Sequence, residues 1–482
     1  MTKKTFFLDQ HGCAKNQVDG ELIISRLEKN GMVRVDDAED ADLIIINSCG
    51  FIESAKTESL NALLDARTAY PKTKILLAGC LAERYANVFG KELPEADGIF
   101  GNGDLSQVDR VVEEIFADER PVLTPPQKGV CCGDRDLLLS FKGSAYVKIT
   151  EGCDNRCTFC AIPLIRGDLR SRNADEIVEE IKALLLRGVK EINLIGQDLA
   201  AYGCGKDDEE GNKWHEVLYK NLHQPVIADA DFAKKYGESP LLSLMKKISA
   251  LEGDFWVRLL YIHPDHFNTD ILILMQKDRR FLPYFDIPFQ SGSDSVIHAM
   301  NRKGSGEEYV SLIKKIREQL PEACIRTTFL TGFPGESEED AKNTENFLKE
   351  IQSDWSGCFT YSTEEDTPAE KMKKKVPHKK AEERSENLKK LQSVITQERL
   401  KNRTGKIYDV LVEEIIEPPE DTPSEGLAIG RAWFQAPEVD GSVVIRYDRD
   451  EEKSLAAMQV GSIVKVNVTS SSEIDVDGFL VL

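Results

Sequence analysis

Three cysteines at spacing C-x3-C-x2-C, Cys153, Cys157 and Cys160, follow directly on the strand-like run Ala145-Tyr146-Val147-Lys148-Ile149-Thr150. This constrains the fold before anything else does, because the thiols must leave the end of a strand on one tight loop. Three thiolates so placed can hold three irons of a four-iron cluster and leave the fourth iron without a protein ligand. A plain electron carrier would close that position with a fourth cysteine. Zinc is the structural rival, but no His or fourth Cys follows closely enough to complete a local tetrahedral site. Buried packing thiols do not crowd one Gly/Asp/Asn-rich loop, so a cluster is favoured.

A chain of 482 residues is long enough for about three domains with real cores. Its 41% hydrophobic and 30% charged content reads as soluble and globular. No apolar run approaches a bilayer-spanning length, and the N-terminal apolar run is too short for a signal peptide, so a cytoplasmic protein is expected. Eleven cysteines in such a chain suggest metal or redox chemistry rather than disulfides. The net charge of −21 argues against a broad nucleic-acid footprint.

Residues 1–118 alternate short apolar runs (6–8, 43–46, 75–77) with amphipathic stretches such as 18–30 and 53–69, which predicts a doubly wound α/β domain. Cys13 follows the first run, Cys49 the second and Cys80 the third. In a parallel sheet those loops open on one edge, where such folds bind ligands. Gly12, Gly50 and Gly79 flank the thiols and permit close approach of backbone to a bulky group. A second iron–sulfur site is favoured over three separate core thiols; zinc would again be one ligand short, although water can fill that place in a catalytic site. Residues 119–140, with Pro121, Pro125 and Pro126, read as a linker. No role is assigned to Cys131 and Cys132 within it, and Cys204, Cys324 and Cys358 are expected to be ordinary packing residues.

From residue 141 to 373 the strand-then-helix rhythm resumes. Strands are expected at 145–150, 190–196, 255–261, 283–288, 324–330 and 357–361, with helices such as 175–187 and 307–319. This predicts a complete or partial (β/α) barrel with its chemistry at the carboxyl ends of the strands. Gly196-Gln197-Asp198, Gln290-Ser291-Gly292-Ser293 and Thr331-Gly332-Phe333-Pro334-Gly335-Glu336 fall at such ends, and Arg258 lies within a strand. The polar insertion between Tyr202 and Ser239, including Lys206-Asp207-Asp208-Glu209-Glu210, is expected to be a solvated excursion.

Residues 374–403 predict a connecting surface helix with a narrow stripe of Leu388, Leu391, Val394 and Ile395. Residues 404–482 carry about five alternating runs, which predicts a small closed β-barrel of OB-like size. That segment holds 6 Lys and Arg against 16 Asp and Glu. Such a balance repels a phosphate backbone and suits a basic protein partner.

Taken together, the chain resembles the radical methylthiotransferases, which join an N-terminal three-cysteine domain, a radical S-adenosylmethionine barrel and a C-terminal TRAM domain. The resembling segments are Gly12-Cys13-Ala14-Lys15-Asn16, Asn47-Ser48-Cys49-Gly50-Phe51-Ile52-Glu53-Ser54-Ala55-Lys56 and Ile162-Pro163-Leu164-Ile165-Arg166-Gly167-Asp168-Leu169. Tyr284-Phe285-Asp286-Ile287-Pro288 and Ala436-Pro437-Glu438-Val439-Asp440-Gly441 extend the likeness. It is nearest to the branch that methylthiolates the β-carbon of an aspartate in small-subunit ribosomal protein S-twelve, while Gln290-Ser291-Gly292-Ser293-Asp294 resembles the tRNA-modifying sister branch. The resemblance implies two four-iron four-sulfur clusters, one on Cys153, Cys157 and Cys160 and one on Cys13, Cys49 and Cys80. It implies S-adenosylmethionine on the open iron, with Phe159, Gln197, Arg258 and Gln290 lining its pocket. On the family mechanism the first cluster reduces S-adenosylmethionine, the resulting 5′-deoxyadenosyl radical takes hydrogen from the substrate carbon, and the second cluster presents methylated sulfur. A side-chain base cannot remove such a weakly acidic hydrogen, so the cofactors must supply the chemistry. An electron donor is implied, and a monomer is expected. The alternatives are methylthiolation of a tRNA adenosine, and an iron–sulfur electron carrier without chemistry of its own.

Overall fold

A computed structural model describes residues 3–208, 211–221, 234–417 and 424–482. Its first sheet has six parallel strands: β1 Thr5–Gln10, β2 Val33–Arg34, β3 Leu43–Ser48, β4 Lys74–Gly79, β5 Gly98–Phe100 and β6 Val122–Leu123, in the order β2-β1-β3-β4-β5-β6. Helices α1 Ala14–Lys29, α2 Glu53–Ala69, α3 Cys80–Glu92 and α4 Val108–Phe116 cover its two faces. The continuous apolar run of β3 explains this. Leu43 and Ile45 pack with Ile23 and Ile24 of α1 and Val108 of α4, whereas Ile44 and Ile46 pack with Leu63 of α2 and Ala82 of α3. Fully burying each such side chain is worth about 1.5–3 kcal/mol, so both faces need a helical cover.

The strand order reverses between β1 and β3, so the loops leaving those two strands part and open a crevice. Two differences from the sequence reading matter. Strands β5 and β6 have three and two residues, too short to stand out as apolar runs. Strand β6 lies inside the expected linker, and Arg135 of that segment is buried against Glu21 of α1 at 2.5 Å while donating to the carbonyl of Tyr146 at 2.8 Å. The segment is a clamp between two units rather than a loose tether.

The central sheet is also parallel and six-stranded: β7 Ser144–Lys148, β10 Glu191–Ile195, β11 Trp256–Leu259, β12 Phe281–Asp286, β13 Cys324–Thr331 and β14 Trp355–Thr360, in sequential order and open at both ends. It is a partial barrel. Between its first two strands, β8 Thr150–Glu151 and β9 Arg170–Ser171 pair antiparallel and pinch off the loop that carries the cysteine triplet. Helix α5 Ile162–Arg166 lies inside that loop, and α6 Ala174–Leu186 follows it, started by Asn173, whose side chain accepts from the Asp175 amide at 2.8 Å.

Alternation along the strands divides the barrel. Val147, Leu194, Val257 and Phe285 face the outer helices, whereas Tyr146, Ile195, Trp256 and Tyr284 face inward with residues of the last domain. The connecting helix His378–Lys401 buries Ala381, Leu388, Gln392 and Ile395. Val394 is 56% exposed, because Gln392 takes the inward place and accepts from Ser353 Oγ at 2.9 Å. Strands β15 Ile407–Ile416, β16 Glu425–Ala432, β17 Val443–Asp448, β18 Ile463–Ser471 and β19 Val476–Val481 close a five-stranded barrel.

Residues 433–440 of that domain plug the open inner face of the central sheet. Tyr284 donates to Asp440 at 2.5 Å, Trp355 Nε1 to the Phe434 carbonyl at 2.8 Å, and Arg431 pairs with Glu191 at 2.7 Å. Glu191 is fully buried. Burial alone would raise its carboxyl pKa, but Arg431 and Arg258 overcome this and hold it far below the usual range.

Candidate active site between two cysteine triads

The loop bearing Cys153, Cys157 and Cys160 is fixed mostly by its backbone. The Cys153 amide donates to the Gly167 carbonyl at 3.1 Å, Thr158 to Met300 at 3.1 Å, and Asn301 Nδ2 to the Arg156 carbonyl at 3.1 Å. Arg156 itself has φ +49, a left-handed turn that sends the chain back toward Cys157. Asp198, just past β10, accepts from Asn155 Nδ2 at 3.1 Å and pairs with His266 at 2.6 Å. Burial works the other way, yet His266 holds Asp198 down to about 2. This ionised carboxylate therefore anchors the cysteine loop to the adjacent strand end.

Of the four side chains expected to line a cofactor pocket, three lie past strand ends on one rim. Both amide atoms of Gln197 are buried with no hydrogen-bond partner, as is Oγ1 of Thr150 beside the loop. Unsatisfied buried polar atoms of this kind are costly and fit a polar ligand. Phe159 packs beside Met300, Phe333 and Ala369. Gln290 adopts φ +69 and is held by backbone hydrogen bonds to Thr328 and Leu330. Arg258 is committed elsewhere: its guanidinium binds Glu191 at 2.9 Å and the Trp433 carbonyl at 2.8 Å, joining the central sheet to the last domain. Strand parity puts Arg258 on the inner face, but Glu191 at the start of β10 draws it away from the rim.

The loops carrying Cys13, Cys49 and Cys80 touch one another. A Cβ at Gly12 would stand 3.0 Å from the Cβ of Cys49, and one at Gly50 would stand 2.7 Å from the Cys80 carbonyl oxygen. A side chain would be strained at Gly12, where φ is +88, and would clash with backbone at Gly50. Cys13 caps the start of α1 and Cys80 opens α3, so both sulfurs sit where a helix favours negative charge. Burial pushes the thiols of Cys49 and Cys160 up to about 12 and raises Cys80, Cys153 and Cys157 as well. Burial would raise the Cys13 thiol, but Lys15 and Arg166 prevail and lower it. Among the described residues no three His, Cys, Asp or Glu side chains stand close enough to hold one metal ion between them.

Each triad has its own buried arginine, which sequence reasoning missed. Arg302 faces Cys157, donating to the Phe289 carbonyl at 3.2 Å, and its cation favours the Cys157 thiolate. Arg166, at the end of α5, donates to Cys80 Sγ at 3.1 Å and to Asp19 of α1 at 2.9 Å, and pairs with Glu151. Lys148 completes the ring, 2.5 Å from Asp19 and 2.7 Å from Glu151. All four charged side chains are buried. The ring therefore clamps the N-terminal domain onto the root of the cysteine loop.

The insertion is not simply a solvated excursion. Glu209, Glu210 and residues 222–233 lie outside the described residues, but helix α7 Gly211–Glu216 and the turn after it bury Trp214, Val217 and Leu218 against Leu169, Ala201 and Cys204. This brings His215 to 3.4 Å from Asp154 and stacks Tyr219 edge-on to His266 at 4.9 Å. The insertion thus walls one side of the cysteine loop.

Comparison with known proteins follows the same division. Residues 5–101 match an uncharacterized protein family, UPF0004, residues 147–348 the radical SAM superfamily, and residues 404–481 the TRAM domain. Among solved structures, the tryptophan-bound radical S-adenosylmethionine methyltransferase TsrM of Kitasatospora setae is similar at TM-score 0.47 and 11% identity, covering 74% of this chain and 73% of that one. The match over residues 147–348 marks a radical S-adenosylmethionine enzyme, a class that implies S-adenosylmethionine and a four-iron four-sulfur cluster. Curated relatives narrow the class. The chain is 50% identical over 490 residues to the ribosomal protein uS12 methylthiotransferase RimO of Treponema denticola, covering 98% of this chain and 100% of that protein. It is 35% identical to the enzymes of the same name from Carboxydothermus hydrogenoformans and Thermotoga maritima, with 98% of each chain covered. The chain belongs to the RimO family of radical methylthiotransferases.

Proposed function

We propose that this chain attaches a methylthio group to the β-carbon of an aspartate in ribosomal protein uS12, acting in the cytoplasm as a monomer supplied with electrons by a separate donor. Cys153, Cys157 and Cys160 hold one four-iron four-sulfur cluster, and Cys13, Cys49 and Cys80 hold a second. When bound, these clusters and S-adenosylmethionine supply the electron, the carbon-centred radical and the sulfur that the reaction needs.

The chain's own residues bind, orient and shield. Gln197 and Thr150 offer unpaired polar atoms to the cofactor, Phe159 and Gln290 line its pocket, and Asp198 keeps the cysteine loop in register with the strand ends. Arg166 and Arg302 offset the charge of the thiolates beside them. The insertion around Trp214 excludes water from one side.

One observation carries the reading. Arg166 touches Cys80 of one triad and Glu151 at the root of the loop holding the other, so one side chain ties the two triads' surroundings together. An electron carrier has no use for two three-cysteine sets that each lack a fourth thiolate. Incubating the reduced, cluster-loaded enzyme with S-adenosylmethionine and uS12 should yield 5′-deoxyadenosine and a methylthio adduct on one aspartate by mass spectrometry; absence of both would refute the reading.

A further inference from the structure

Lys15 is a buried cation without a counter-ion. It sits in the first turn of α1, two residues after Cys13, and only 8% of its surface is exposed. Among the described residues no carboxylate lies within ion-pairing distance of its ammonium, and no hydrogen bond ties it down. The contact it makes is with the face of Tyr261, 3.5 Å from the ring centre. Of the other buried cations nearby, Lys148 and Arg166 are paired with Asp19 and Glu151, and Arg302 donates to the Pro288 and Phe289 carbonyls.

The platform is itself unusual. Tyr261, just beyond β11, has φ +66, a strained conformation for a bulky residue, held by its amide donating to Asp286 at 3.2 Å and its carbonyl accepting from Leu199 at 2.9 Å. Strain of this kind persists where the surroundings enforce it, and it marks functional positions. Asp286 is the nearest candidate counter-ion from the barrel, but it is engaged by that amide and stands 3.9 Å from Arg326. Lys15 follows Cys13 by two residues and rests on Tyr261 just past a strand of the central sheet, so it stands between the N-terminal triad and the barrel rim.

We propose that Lys15 is the receptor for the side-chain carboxylate of the substrate aspartate, an inference that rests on the activity proposed above. An aspartate whose β-carbon is to react carries its carboxylate one bond away. A cation that grips this carboxylate therefore fixes the reacting C–H in the gap between the triads. The same contact selects against the uncharged amide, because an asparagine leaves the buried ammonium unpaired. Tyr261 holds the ammonium in place before the substrate arrives.

The test uses cluster-loaded enzyme with uS12 and with uS12 whose target aspartate is changed to asparagine. Dissociation constants are measured for wild type, Lys15→Met, Lys15→Gln and Lys15→Arg, with iron content and the S-adenosylmethionine dissociation constant as controls. Wild type should bind the aspartate form at least about tenfold more tightly, and Lys15→Met and Lys15→Gln should lose that preference to within about twofold. Lys15→Arg should retain most of it, with iron content and cofactor affinity unchanged in all variants. Undiminished preference for aspartate in Lys15→Met and Lys15→Gln would overturn the proposal. So would weakened cofactor binding without loss of that preference, which would assign the ammonium to the carboxylate of S-adenosylmethionine. A wild-type enzyme that binds neither form of uS12 refutes the activity reading and the proposal with it, whereas intact discrimination in the variants refutes the proposal alone.

Discussion

The guanidinium of Arg166 stands 3.1 Å from the sulfur of Cys80, while its other arm pairs with Glu151, two residues before Cys153. One side chain thus touches the N-terminal triad and the root of the loop that carries the radical-SAM triad. The contact spans 86 positions of sequence, and its neighbour Asp19 is 147 positions from Arg166.

Replacing Arg166 with Met should destabilise the fold by about 3–5 kcal/mol, because it leaves Asp19 and Glu151 sharing Lys148 alone. Chemical denaturation measures this. The same change removes a hydrogen bond and a positive charge from Cys80, so the potential of the N-terminal cluster should become more negative in a redox titration. Arg166→Lys should recover part of both effects. An unchanged potential would separate Arg166 from the cluster site.

The two triads should fail differently. Cys157→Ala should abolish cleavage of S-adenosylmethionine to 5′-deoxyadenosine. Cys49→Ala should still form that product yet transfer no sulfur, with iron content reduced by one cluster. Full methylthiolation by Cys49→Ala would remove the second cluster from the account.

Stability should depend on pH through Glu191. Its folded-state pKa is held below its ordinary value near 4.5 by Arg431 and Arg258, against the effect of burial. The carboxylate's contribution is therefore complete above that ordinary value and is lost as pH falls below it. Glu191→Gln should lower Tm at pH 7 and flatten its fall between pH 5 and pH 3, followed by thermal scans across that range (about two pH units around the unfolded carboxyl value).

Arg258 separates a packing role from a cofactor role. It pairs with Glu191 and binds the Trp433 carbonyl, so Arg258→Met should cost about 3–5 kcal/mol by leaving Glu191 short of a partner. The affinity for S-adenosylmethionine, measured by equilibrium titration of the folded variant, should change by less than about twofold, since no direct contact is lost. Gln197→Ala should do the reverse, weakening cofactor binding at little cost in stability.

The chain's plan could be read from particular residues. Cys13, Cys49 and Cys80 each follow an apolar run, and parallel-sheet geometry alone brings such positions to one edge. The C-x3-C-x2-C loop needed only its spacing. What escaped was of two kinds. Strands β5 and β6 are too short to leave a periodic signal, so a paired segment passed for linker. Arg166, Arg302 and Lys15 gain their meaning from groups far away in sequence; Arg166 and Lys15 stood inside recognised motifs without a role, since ion pairs between domains have no local spacing. The insertion misled for a related reason. Its polar composition hid Trp214, Val217 and Leu218, whose packing partners come from elsewhere in the barrel.

Whether sulfur goes to a ribosomal-protein aspartate or to a tRNA adenosine decides the proposed function. The direct measurement is mass spectrometry of uS12 and of tRNA, each incubated with the same reduced, cluster-loaded enzyme and S-adenosylmethionine. A methylthio adduct on one aspartate of uS12 and none on tRNA is expected; an adduct on tRNA adenosine with uS12 left unmodified would overturn the proposed function.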